Sequence, residues 1–257
     1  MDIVIIGSGN VATVIGRKSQ AAGHRIIQVY SPNGAHANTL ASRLGTNSTA
    51  YISTVEKTAD LMIIALRDEA IAAFIKNLGI TKSILTHTAG SLPIDILSAA
   101  SDRFGALYPL QSLRKEIERI PALTILVDGN REGTKTQIRE FAATIAETVL
   151  PADDLTRLKY HLAGTIVNNF TNQLFATAEV FCKNENISFA VLQPLMEETV
   201  MRLRKTDPSQ AQTGPALRND QITIQKHREL LKSYPGMIKF YDLFTAEIQR
   251  FATGDTL

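Results

Sequence analysis

Asp2-Ile3-Val4-Ile5-Ile6-Gly7-Ser8-Gly9-Asn10-Val11-Ala12 is the stretch whose reading decides the fold. The unbroken aliphatic run from Ile3 to Ile6 suits a strand covered on both faces. Gly7 permits a tight turn after it, and Gly9 lets the backbone come close to a ligand. Ala12, in the third small position, lets the helix that follows pack closely on the strand. The free N–H groups at the start of that helix, with its dipole, make an anion site. A second strand begins at Arg25, so the stretch reads as a βαβ unit. A dinucleotide diphosphate is expected on Gly7, Ser8, Gly9, Asn10, Val11 and Ala12.

The second strand ends Val29-Tyr30-Ser31-Pro32-Asn33, where NAD sites carry an acid for the ribose hydroxyls. No acidic residue occurs from Ile3 through Val55, while Arg17, Lys18, Arg25 and Arg43 with His24 and His36 fall in that window. A carboxylate there would repel a 2′-phosphate, so its absence favours NADP over NAD. Ser31 and Asn33 are the expected donors to that phosphate.

Outward from this unit, the chain alternates short apolar runs with helical segments up to about residue 150. Strands are expected at Asp2–Ile6, Arg25–Tyr30, Leu61–Leu66, Ser83–Thr88, Arg103–Leu107, Thr124–Val127 and Thr148–Leu150. The class is α/β with a largely parallel sheet. After Pro151 no strand is expected. Asp153 or Asp154 N-caps a long helix with an apolar stripe Leu155, Leu158, Leu162, Ile166, Phe170, Leu174, Ala178, Phe181. Further helices are expected at about 188–204, 221–233 and 236–251. The domains are accordingly placed at 1–151 and 152–257.

Composition sets limits on function. Hydrophobic residues make up 44% of the 257 and the net charge is +2, so no bulk basic field exists for nucleic acid or membrane. One cysteine, Cys182, excludes an internal disulfide and fits a reducing compartment. No secretory leader or membrane span is read, and no metal site is expected; a cytoplasmic location is.

Ligands of open parallel sheets lie beyond the carboxyl ends of the strands. The third strand runs into Leu66-Arg67-Asp68, and Leu66 and Asp68 are expected beside the cofactor. The fourth runs into His87-Thr88-Ala89-Gly90-Ser91, and the fifth into Tyr108-Pro109-Leu110-Gln111-Ser112. His87 and Tyr108 are the candidates for proton transfer, with backbone bonding as the alternative for His87. From Tyr160 through Ala178 there is no formal charge, which implies a helix buried nearly all round. His161, Thr165, Asn168 and Asn172 share one polar stripe of it, which either bonds other backbone or lines the cleft. The stretch from Thr206 to Asp220 reads as an ordered loop carrying Arg218 toward a substrate anion, or else as a surface connection.

Gly7–Ala12, His87–Pro93 (HTAGSLP), Tyr108–Leu113 (YPLQSL), Asn168–Asn172 (NNFTN) and Thr213–Asp220 (TGPALRND), in this order, resemble a family over nearly the whole chain. It comprises bacterial NADP oxidoreductases with a Rossmann-like domain and a helical C-terminal domain of unknown function. Their plan is similar to that of pyrroline-5-carboxylate reductases, deazaflavin-dependent NADP reductases and 3-hydroxyacid dehydrogenases. The resemblance implies a Rossmann-type, mostly parallel sheet followed by an all-α domain of the 6-phosphogluconate-dehydrogenase-like type. It also implies a homodimer through the C-terminal helices. The chain departs from the family at Tyr108, where His is usual, at Pro32, where Arg is common nearby, and at Asn219, where Gly is common. Gly164 and Thr165 stand where the hydroxyacid dehydrogenases place a catalytic Lys, so Lys-driven oxidation is not implied.

The function read from all this is an NADP-dependent oxidoreductase moving hydride to or from a small polar carbonyl or imine. His87, Tyr108, Asn168, Asn172 and Arg218 are its candidate catalytic residues. A non-catalytic NADP-binding sensor or regulatory subunit is the alternative.

Overall fold

Ile3 and Ile5 face one layer of helices while Val4 and Ile6 face the other, which is why the run Ile3–Ile6 is aliphatic throughout. The computed structural model describes residues 1–118 and 120–254. The chain forms two compact units, Met1–Phe170 and a second beginning at Thr171.

In chain order the first unit contains β1 (Asp2–Ile6), α1 (Asn10–Ala21), β2 (Arg25–Tyr30), α2 (Gly34–Arg43), β3 (Asn47–Thr49), β4 (Leu61–Ile64), α3 (Asp68–Leu78) and β5 (Ile84–His87). It continues with β6 (Phe104–Pro109), β7 (Thr124–Gly129), α4 (Glu132–Ile145), β8 (Thr148–Pro151), α5 (Asp154–Gly164) and a wide π turn, Thr165–Phe170. The strands form one sheet in the order β3-β2-β1-β4-β5-β6-β7-β8. Every pairing is parallel except β6 with β7.

The alternation of β1 splits the core in two. On one face Ile3, Ile5 and Leu107 pack with Val14 and Ile15 of α1 and Phe141 of α4. On the other, Val4, Ile6 and Met62 pack with Ile71, Phe74 and Ile75 of α3. Large aliphatic and aromatic side chains removed from water on both sides supply the main stabilisation of this unit. Strand β3 was not expected: it is three polar residues at the sheet edge, held by backbone pairing to β2 rather than by an apolar pattern.

The strands stop at Pro151, and every later described element is helical. The compact unit nonetheless runs on to Phe170. Helix α5 belongs with the sheet because Arg157, wholly buried, donates to the Leu92 carbonyl of the β5–β6 connection. Asp153 caps α5 by accepting from the Thr156 N–H at 2.8 Å, as the sequence indicates.

The second unit contains α6 (Thr171–Asn184), α7 (Gln193–Arg202), α8 (Pro208–Ala211), α9 (Gln221–Leu230) and α10 (Pro235–Ala252). Two expectations are corrected here. The helix expected from about 188 begins as a single 3-10 turn, Phe189–Leu192, and becomes α-helical only at Gln193, where Pro194 fits the first turn. The stretch Thr206–Asp220 is not wholly irregular: it contains α8, turns at Gly214 (φ +110°) and Asn219 (φ +53°), and ends with Asp220 capping α9 through the Thr223 N–H.

A third correction concerns the uncharged helix. Leu162, Ile166 and Phe170 are 59%, 51% and 58% exposed, so the chain by itself does not bury that face. The α-helical period also breaks at the π turn, where each residue advances less than the 100° that the stripe assumes. Among the described residues no helix is long and apolar enough to cross a membrane.

Candidate functional site

Gly7 has φ +120°, and a Cβ there would lie 2.3 Å from the Ala65 carbonyl oxygen. Both the turn and the approach of the β4 end therefore require glycine. At Gly9 a Cβ would meet nothing within 4 Å, so the space above the loop is open. Ala12 is wholly buried in the core, and no side chain caps α1. The first turn of α1 carries no acid, and its leading N–H groups have no intrahelical partners. This is a cradle for an anionic ligand approached by backbone alone, and it fits a dinucleotide diphosphate.

The flanks of the cradle are tied down. The Ser8 hydroxyl donates to the Ser31 hydroxyl at 2.9 Å, joining the glycine loop to the end of β2. Asn10 Oδ1 accepts from the Lys115 N–H at 3.3 Å. Val11 and Leu66 are partly buried against opposite core layers. Asp68 opens α3, and its Oδ2 accepts from the Ser91 hydroxyl at 2.5 Å.

At the corner expected to meet a 2′-phosphate, Ser31 is nearly buried, and Asn33 caps α2 by accepting from the His36 N–H at 3.1 Å. The first turn of α2 is free of acids. Three of the four Lys and Arg side chains of the window are engaged elsewhere. Arg17 donates to the carbonyls of Ile117 and Glu118, Lys18 pairs with Glu147, and Arg25 pairs with Asp2. What the corner offers is the N-terminus of α2 and the absence of repulsion.

Beyond the carboxyl ends of β5 and β6 a second cleft opens, of about 500 Å³. Its walls include Tyr108, Gln111, His161, Thr165 and Asn168. The Tyr108 hydroxyl is 2.9 Å from His161 Nδ1, and the two rings meet edge-on at 5.8 Å and 78°. Burial pushes the Tyr108 phenol above its ordinary range; the nearby Arg157 charge opposes that rise and Asp68 adds to it. Of the expected polar stripe, His161, Thr165 and Asn168 line this cleft.

The pair is assembled by local devices. A Cβ on Gly90 would lie 2.6 Å from Cγ and Nδ1 of His161, so the ring passes over Gly90 only because that residue has no side chain. Asp154 Oδ1 accepts from the Ile94 N–H at 3.1 Å and from Arg157 at 2.6 Å, stitching α5 to the loop after β5.

For His87 the structure shows the backbone-bonded arrangement that was the alternative to proton transfer. It is wholly buried, and Nδ1 accepts from the Ala89 N–H at 3.2 Å. Burial first, and the Arg157 charge second, push the imidazole down to about 4. It is a neutral group locked to backbone, without access to the cleft. Tyr108 and Asn168 share the cleft, His87 lies beneath the surface, and Asn172 and Arg218 belong to the second unit. Gly90 and Arg157 are not singled out by the sequence reading, and His161 enters it only as a member of the polar stripe. The i, i+4 spacing of Arg157, His161 and Thr165 is the available signal, since it sets a charge near the start of the neutral stretch on the same face as the imidazole.

Comparison with known proteins divides the chain earlier than the two units do. Residues 2–97 match the family model described as NADP oxidoreductase coenzyme F420-dependent. Residues 123–248 match a domain of unknown function, DUF2520. Among curated proteins none matches the chain. The chain is similar to the "putative NADP oxidoreductase" of Bacteroides fragilis, with 32% identity, a TM-score of 0.90, and coverage of 97% of this chain and 98% of that one. It shares its fold with a 1-pyrroline-5-carboxylate reductase of Streptococcus pyogenes (16% identity, TM-score 0.64, 99% of each chain). The same holds for an imine reductase of Myxococcus stipitatus solved with NADP+ (12% identity, TM-score 0.66, 99% and 95%). On the first of these likenesses, which spans nearly both chains, this protein belongs to the NADP oxidoreductase family of the Bacteroides fragilis protein.

Proposed function

We propose that the chain is an NADP(H)-dependent oxidoreductase that reduces, or forms by oxidation, a small polar carbonyl or imine in the Tyr108–His161 cleft. The observation that carries this reading is the 2.9 Å contact between the Tyr108 hydroxyl and His161 Nδ1 in a cleft at the carboxyl end of the sheet. The fold is shared with an imine reductase and a pyrroline-5-carboxylate reductase, which supports the substrate class. The nicotinamide, when bound, supplies or accepts the hydride. The protein's part is to hold the proton. With His161 Nδ1–H donating to Tyr108 Oη, the phenol O–H is free to donate to the substrate oxygen or nitrogen. That O–H bond breaks as the substrate heteroatom gains its proton, and the phenolate left behind keeps the His161 hydrogen bond. Asn168, on the same wall, is assigned to orienting the substrate through its amide.

The protein is further proposed to act as a homodimer that covers the exposed face of Leu162, Ile166 and Phe170. Its single buried cysteine fits a reducing compartment such as the cytoplasm. Consumption of NADPH and NADH across cyclic imines, 2-keto acids and aldehydes tests the reading. NADPH-dependent turnover of at least one class is expected; tight NADPH binding with no turnover of any would favour a redox sensor instead. Arg218→Ala tests the anion contact expected of that residue: KM for acidic substrates should rise about tenfold, with neutral substrates unaffected.

A further inference from the structure

Among the described residues of the first unit, Arg157 is the one charged residue whose side chain is wholly out of water. Its Nη2 donates to the Leu92 carbonyl and to Asp154 Oδ1, while Nε and Nη1 are buried without hydrogen bonds. Burying a guanidinium half-satisfied is costly, and a fold that needed only packing here would carry an aliphatic residue. One helical turn on, the same face of α5 presents His161 to Tyr108. The groups around the guanidinium come from four elements: Asp154 and, more distantly, Asp153 on α5; His87 on β5; Tyr108 on β6; and Asp68 on α3, which acts on His87 and Tyr108.

We propose that Arg157 is a positioning residue of the reductase site: it anchors the loop bearing Gly90 beneath His161, and its charge stabilises the phenolate left when Tyr108 releases its proton. This deepens the function proposed above and rests on Tyr108 as the proton donor. The charge is effective because it is buried, where the local dielectric is low and salt does not screen it. Asp154 neutralises only one edge of the guanidinium, so a net positive field remains on the side of β5 and β6. Burial alone would make Tyr108 a reluctant acid; Arg157 offsets that burial, while the buried His87 beside it stays neutral and withdraws none of the field.

The test is an ultraviolet titration of the whole protein, in which wild type minus Tyr108→Phe isolates one phenolate among the six tyrosines. Arg157→Gln should move the Tyr108 midpoint up by about one pH unit or more. Asp154→Asn keeps an acceptor for the Ile94 N–H but removes the counter-charge, and should move the midpoint down. Arg157→Lys keeps the charge and should leave it near wild type. If Arg157→Gln does not fold, the downward movement in Asp154→Asn decides the matter. A midpoint in folded Asp154→Asn or Arg157→Gln equal to that of wild type would overturn the inference. Full NADPH turnover by Tyr108→Phe would instead overturn the proton-donor reading while leaving these midpoints as expected, so the two failures are distinguishable.

Discussion

Tyr108 on β6 and His161 on α5 meet through a 2.9 Å contact between Oη and Nδ1, with Gly90 supplying the gap through which the imidazole reaches. Neither residue is held by its own element alone. The tyrosine is set by the pairing of β6 with β7, and the histidine by the ties of α5 to the loop after β5. A hydroxyl fixed in this way meets the geometric requirement of the proton-donor role proposed for it.

Tyr108→Phe removes the proton and little else. Turnover is expected to fall about 10²- to 10⁴-fold, while NADPH affinity changes by less than about threefold. Steady-state kinetics with a fluorescence titration of NADPH checks the split; equal losses in both would point to a structural role.

Gly90→Ala places a methyl group 2.6 Å from the His161 ring. The ring must turn away, breaking the contact with Tyr108, so kcat should drop about tenfold or more with cofactor affinity nearly unchanged. Wild-type kcat in a folded Gly90→Ala protein would show that the histidine can yield freely.

Gly7 and Gly9 should separate stability from binding. Gly7→Ala demands a side chain at φ +120° against the Ala65 carbonyl and should cost about 3 kcal/mol or more in urea unfolding. Gly9→Ala meets nothing in the protein, so its stability should stay within about 0.5 kcal/mol of wild type. Its NADPH affinity should still fall about tenfold, because the methyl intrudes where backbone meets ligand. Equal NADPH binding by Gly9→Ala would remove that loop from the diphosphate site.

His87 predicts an acid limit to stability. Its folded value is near 4 against about 6.5 unfolded, so the unfolded chain binds the proton more readily between the two. Stability from this residue is present above about pH 6.5 and is lost as the pH falls toward 4, to a total of about 3 kcal/mol. His87→Asn, which keeps an acceptor for the Ala89 N–H, should lose about that much less between neutral pH and about pH 4. Parallel urea curves for the two proteins at both pH values would contradict the assignment.

The exposed face of Leu162 and Ile166 carries the dimer proposal. Leu162→Lys combined with Ile166→Lys should yield a folded monomer by light scattering, since each charge would be buried unpaired at the interface. A wild-type protein that is monomeric at micromolar concentration would end the proposal directly.

Much of the nucleotide-binding half was legible because its determinants are local. A run such as Ile3–Ile6 has no stable arrangement other than between two layers, and the glycine loop follows it at fixed spacing. Strand β3 was illegible for the opposite reason, having no apolar pattern and relying on its neighbour's backbone. The bonds of Lys18 and Arg25 with Glu147 and Asp2 likewise depend on residues 129 and 23 positions away, which composition cannot reveal.

By itself, the sequence determined the doubly covered sheet, its glycine cradle, the change to helices after Pro151 and an acid-free ribose corner. These follow from periodicity, backbone freedom and charge, all of which act over a few residues. Only the tertiary structure decided which polar side chains meet. It buried His87, brought His161 across Gly90 to Tyr108, and buried the Arg157 guanidinium one helical turn before His161. Those are relations between separate elements, set by close packing and burial rather than by spacing along the chain.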